Sequence, residues 1–161
     1  MLVAWGVVVT GQMIIPGYFE KIFSEDCNLS NPKIEGSRII ICVRNIGVIR
    51  GHPLHEKGGP AGVKYFSSGH LIFEGVEASM RELSEYAVKP NVNQFKSKRV
   101  IQDGPFPRVE GNKETFRFMG VLDSPRAWTD WTVLAAKFSL EVPSITESDK
   151  NGLKAARRIF Q

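Results

Sequence analysis

The sequence has little cysteine: two residues in 161, Cys27 and Cys42. They form no C-x-x-C pair, which excludes a thioredoxin-type redox motif and a paired-cysteine zinc site. Two are also too few for a disulfide framework, so a reducing compartment is expected. Cys42, inside the run RIIICV, reads as a small buried apolar residue. Long apolar runs are missing as well. The N-terminal stretch Leu2–Val9 is far short of the roughly 20 residues needed to span a bilayer. It reads instead as a strand, and no transmembrane segment is expected. It lacks a basic leader and a small-residue cleavage site, so the expected location is cytoplasmic. Asn28-Leu29-Ser30 matches a glycosylation acceptor, but no secretory signal accompanies it.

Catalytic signatures are absent too. There is no G-x-S-x-G elbow, no H-E-x-x-H, no G-x-G-x-x-G and no G-x-x-x-x-G-K-[ST]. Serine hydrolysis, zincin chemistry, dinucleotide binding and P-loop nucleotide hydrolysis therefore have no support. No internal repeat and no low-complexity segment appears, so residues 1–161 read as a single domain.

What the chain does have is apolar and aromatic residue. It is 42% hydrophobic and 24% charged, with ten Phe, three Trp and three Tyr, enough to build a core. RIIICV is β-branched and reads as a central strand. VKYF and LIFEGV flank SSGH and read as a hairpin turning at Gly69. VEASMRELSEYAVKP reads as the main amphipathic helix, about 76–89. Val76, Met80, Leu83 and Ala87 form its apolar stripe, and Glu77, Arg81, Glu85 and Lys89 alternate in sign along its solvated face. ETFRFMGVLD reads as a strand, DSPRAWTDW as the start of a short helix, and LAAKFSLEV as a last strand. The tail reads as a basic C-terminal helix, about 149–160, with Leu153, Ala156 and Phe160 on one side. Strands and helices without regular alternation predict an α+β fold, a mostly antiparallel sheet or open barrel.

Two constellations carry functional weight. The first is basic. The chain has a net charge of +4, and from Lys89 to Arg117 lysines and arginines outnumber acids more than twofold. Phe95 lies beside Lys96, Lys98 and Arg99, while Arg117 sits between Phe116 and Phe118. Cations track phosphates and exposed rings stack on bases, so this pattern suits single-stranded nucleic acid or another anionic partner. Arg157 and Arg158 of the tail would add to it. The reading is a non-enzymatic binding or assembly protein that self-associates, of the kind found as a small structural or accessory component of viral or phage particles.

The second is GHPLHEKGG, residues 51 to 59, in a glycine-rich loop (51–62) expected to be flexible. His52, His55 and Glu56, with His70 beyond them, are residue types that ligate a divalent transition metal. They define the alternative: a small metal-dependent enzyme or a ligand-binding barrel. Pro53 and the flanking glycines oppose the helix that would align His52 with His55. The bland alternatives are solvated histidines in the loop, and strands whose rings face the core while their charges face water.

Overall fold

The computed structural model describes residues 11–55, 62–86 and 95–143. The described chain is strand almost throughout. In order come β1 (Gln12–Pro16), a 3₁₀ turn (Phe19–Lys21), β2 (Ile22–Phe23), β3 (Asn28–Leu29), β4 (Lys33–Glu35) and β5 (Arg38–Val48). Then follow β6 (Lys64–Glu74), β7 (Ala78–Tyr86), β8 (Phe95–Asp103), β9 (Glu114–Leu122), β10 (Ala127–Ala135) and β11 (Lys137–Pro143). Among the described residues no helix is long and apolar enough to cross a membrane.

The strands form one sheet in the order β1-β11-β6-β5-β3-β9-β10-β7-β8, with β2 and β4 also pairing β5. Every pairing is antiparallel except β3 with β9. Although β5 and β3 separate β6 from β9 in the sheet, Phe73 of β6 stacks on Phe118 of β9, ring centroids 5.7 Å apart. The sheet therefore folds over at the two-residue strand β3, and its halves bury their inner faces against each other. Phe116, Phe118, Leu122, Trp131 and Val133 line one inner face; Ile39, Ile41, Leu71, Phe73, Phe138 and Leu140 line the other. Each such side chain removed from water contributes about 1.5–3 kcal/mol. Phe19, in the 3₁₀ turn, closes one seam, with its ring 5.0 Å from those of both Phe116 and Phe138.

An all-β architecture overturns the α+β expectation, and the main helix is where it fails. Residues 78–86 are β7, paired on one side with β10 and on the other with β8. A spacing of four is even, so Glu77, Arg81 and Glu85 fall on one face of a strand as readily as on one face of a helix. The stripe that looked apolar is split: Met80 is 43% exposed while Leu83 is fully buried. Strand alternation decides it, with Ser79, Arg81 and Leu83 pointing in and Met80 and Glu82 pointing out. Sheet ladders on both sides outweigh a local helical preference of a few tenths of a kcal/mol per residue.

Other local expectations change for the same reason. Ser124 and Pro125 lie in a turn, and Ala127–Ala135 is strand rather than helix. The expected hairpin at Gly69 is a single strand, β6, and Gly69 sits in its middle. A Cβ there would lie 2.8 Å from the Glu141 carbonyl oxygen of β11, so the glycine serves close backbone approach. Cys42 is exposed, and it is Cys27 that is buried. The N-terminal strand, the C-terminal helix and residues 56–61 of the loop lie outside the described residues.

Candidate functional site

Strand β8 ends the sheet, pairing β7 alone among the described strands. Its sequence, FKSKRVIQD, holds Phe95, Lys96, Lys98 and Arg99, four of the expected anion-binding residues. In the register, Lys98 lies opposite Ser84, Arg99 opposite Leu83, Val100 opposite Glu82 and Ile101 opposite Arg81. Successive side chains alternate, so Lys98 and Val100 share the outer face with Met80 and Glu82. Lys98 reaches Glu82 at 3.7 Å and Arg99 reaches Glu85 at 3.3 Å. The lysine side chain is 69% exposed and the arginine 52%, so each pair contributes about 0–1 kcal/mol. Val100 is 58% exposed, beside Met80 on the same face.

The far end of β8 is pinned from inside. Arg81 Nη2 donates to Asp103 Oδ1 at 2.7 Å and Nε donates to Oδ2 at 3.2 Å, with both side chains buried. Arg81 Nη1 donates to Asn31 Oδ1 at 3.0 Å. Ser79 Oγ donates to Asp103 Oδ2 at 2.7 Å and accepts from Trp131 Nε1 at 2.9 Å. The guanidinium also lies over the Trp131 ring, 5.0 Å from its centroid. A buried ion pair survives only when its remaining donors and acceptors are met, and here the network meets them. Sequence reasoning missed it, because Arg81 read as a solvated helix position and Asp103 carried no signal at all.

Beside this network runs a groove of about 560 Å³ lined by Met80, Gln102, Asp103, Pro105, Phe106 and Leu134, among others. It spans the outer face of β8, β7 and β10 beside the loop that follows β8.

Arg117 lies on the same outer face, on β9, with β10 and β7 between it and β8, and is tightly held. Its Nη2 and Nε donate to the two Asp130 oxygens at 2.6 and 3.0 Å. The hydrogen-bonded guanidinium holds the Asp130 carboxyl below the usual carboxylate range, and the Arg117 pKa is raised in turn. Phe116 and Phe118, its neighbours in sequence, are core residues rather than stacking platforms. Arg157 and Arg158 lie outside the described residues.

The three histidines have separate partners. His52 is buried, 2% exposed, with its ring edge-on to Tyr18 at 5.7 Å. Its Nδ1 accepts from the Leu54 amide at 3.1 Å, and its Nε2 is buried without a partner among the described residues. Burial lowers its pKa, against a smaller opposing effect of Glu20. His55 Nε2 donates to the Gly62 carbonyl at 3.1 Å. His70, on β6, meets Glu141 of β11 at 3.0 Å. Among the described residues no group of three or more His, Cys, Asp or Glu is placed to hold a metal ion, and Glu56 lies outside them.

The chain matches no known family, no curated protein and no solved structure.

Proposed function

We propose that the protein is a non-catalytic binding and assembly module whose working surface is the basic edge strand β8, which takes an extended anionic partner. The observation that carries this reading is the pairing state of two cations. Lys98 and Arg99 occupy successive positions of an edge strand, are exposed, and among the described residues are held only by surface pairs at 3.7 and 3.3 Å. An incoming anion displaces Glu82 and Glu85 at a cost of about 1 kcal/mol or less per pair. Arg117 is committed to two short bonds with Asp130 and is left out of the surface. The buried network at Arg81 and Asp103 holds β8 in place, so little ordering of the strand is needed on binding. Single-stranded nucleic acid, the class indicated by composition, and acidic polypeptide are both extended polyanions.

Fluorescence anisotropy with labelled oligothymidylate and labelled polyglutamate, at low and at physiological salt, tests the reading. At least one is expected to bind, more weakly at higher salt, and roughly tenfold more weakly to the Lys98→Gln/Arg99→Gln variant. Absence of binding to both at low salt, or binding unchanged in the variant, refutes it.

A further inference from the structure

We infer that the partner of β8 is an acidic polypeptide segment that joins the sheet as a further strand; this rests on the reading of β8 as the working surface. Three observations converge on it.

The first is the open edge. β8 runs for nine residues and pairs on one side only among the described strands. Its other edge offers backbone N–H and C=O groups at the strand repeat of about 3.3 Å. An extended peptide presents complementary donors and acceptors at that same repeat, whereas a sugar-phosphate chain does not.

The second is the order of side chains along the edge. An added strand brings its own side chains within about 5 Å of those opposite. Lys98 and Arg99, on opposite faces, call for carboxylates at two successive partner positions. Val100 is 58% exposed and Ile101 packs partly against the core, so the next two positions call for apolar, β-branched residues. The complement is therefore two acids adjoining two aliphatic residues.

The third is the groove of about 560 Å³ beyond Val100, lined by Met80, Pro105, Phe106 and Leu134 among others. Ala78, Met80, Thr132 and Leu134 place it over β7 and β10, inward of the open edge, so a partner reaches it with residues that flank its apolar half and cross over β8.

A second copy of β8 lacks the acidic complement, since the strand carries Lys96, Lys98 and Arg99 against one acid, Asp103. Antiparallel pairing of two β8 strands about Arg99 sets arginine against arginine, and like charges directly opposite are destabilising.

Calorimetric titration tests the inference with four probes. One is an acetylated peptide with an Ile-Val-Glu-Glu core, the order that antiparallel pairing sets opposite Ile101, Val100, Arg99 and Lys98. Two are the same peptide N-methylated at one or the other alternating set of backbone nitrogens. The last is oligothymidylate. Each is titrated into the wild-type protein and into Lys98→Gln/Arg99→Gln, with circular dichroism confirming that the variant is folded. The unmodified peptide is expected to bind. One N-methylated form should bind roughly tenfold or more weakly, because its pairing edge is blocked, and the other should bind like the parent. Equal affinity of all three peptides overturns strand addition, since charge alone would then explain binding. Oligothymidylate binding that depends on Lys98 and Arg99, without peptide binding, overturns this inference and leaves β8 as the anionic surface. If neither class of ligand binds at low salt, both readings fail.

Discussion

Arg81 and Asp103 face each other across β7 and β8 at 2.7 Å, with side chains 7% and 5% exposed. A buried charge left without its partner costs about 3–5 kcal/mol, far more than the surface pairs beside it. The pair thus binds the edge strand to the body of the sheet.

Asp103→Asn keeps the shape but removes the charge opposite Arg81, and also weakens the acceptor used by Ser79. The variant is expected to lose about 3–5 kcal/mol in urea denaturation. Glu82→Gln, which disturbs only the surface pair to Lys98, is expected to change stability by less than about 1 kcal/mol. Equal effects would show that the buried network does not anchor β8.

Gly69 is expected to tolerate no side chain. The obstacle is the Glu141 carbonyl of a paired strand, 2.8 Å from an added Cβ, and a backbone atom cannot rotate away. Gly69→Ala should destabilise by about 1–3 kcal/mol, measured by thermal or chemical unfolding. Gly111, where an added Cβ meets nothing within 4 Å, is not a neutral control, because its φ of +110° itself disfavours alanine.

These two sites show what was legible in the sequence. Alternation within Glu114–Leu122 could be read directly, because rings and charges there have the period of a strand. β7 could not, because its charges repeat every four residues, a spacing that helix and strand share. Of the anion-binding candidates, composition proposed the stretch around Lys98 and Arg99. It could not separate them from Arg117, since the difference lies in Asp130, a residue on the neighbouring strand. The histidines looked like one cluster because two of them are close in sequence. Tertiary structure gives each its own partner.

His52 gives the fold a dependence on acid. Burial lowers its pKa, so in this range the unfolded chain binds the proton more readily than the folded one. Stability from this group is complete above the unfolded value, about 6.5, and declines as pH falls through the folded value. His52→Asn retains an acceptor for the Leu54 amide but does not titrate. Denaturant midpoints at about pH 7.5 and pH 5 should differ less in the variant than in the wild type. An unchanged difference would remove His52 from the account.

The two thiols should react differently. Burial is the main cause pushing the Cys27 thiol up to about 12, while Cys42 is exposed on β5. A maleimide titration of the native protein should modify one cysteine rapidly, identified by peptide mapping as Cys42, and the second only on unfolding. Equal rates for both would contradict the placement of Cys27 in the core.

Amide hydrogen exchange tests most directly whether β8 is the surface where the partner binds. Exchange is followed residue by residue with and without a saturating acidic peptide of the Ile-Val-Glu-Glu type. New protection is expected at alternating amides between residues 98 and 102, with the core strands β5 and β6 unchanged. Protection confined to the loop around His52 and His55, or to β9 around Arg117, would contradict binding at β8.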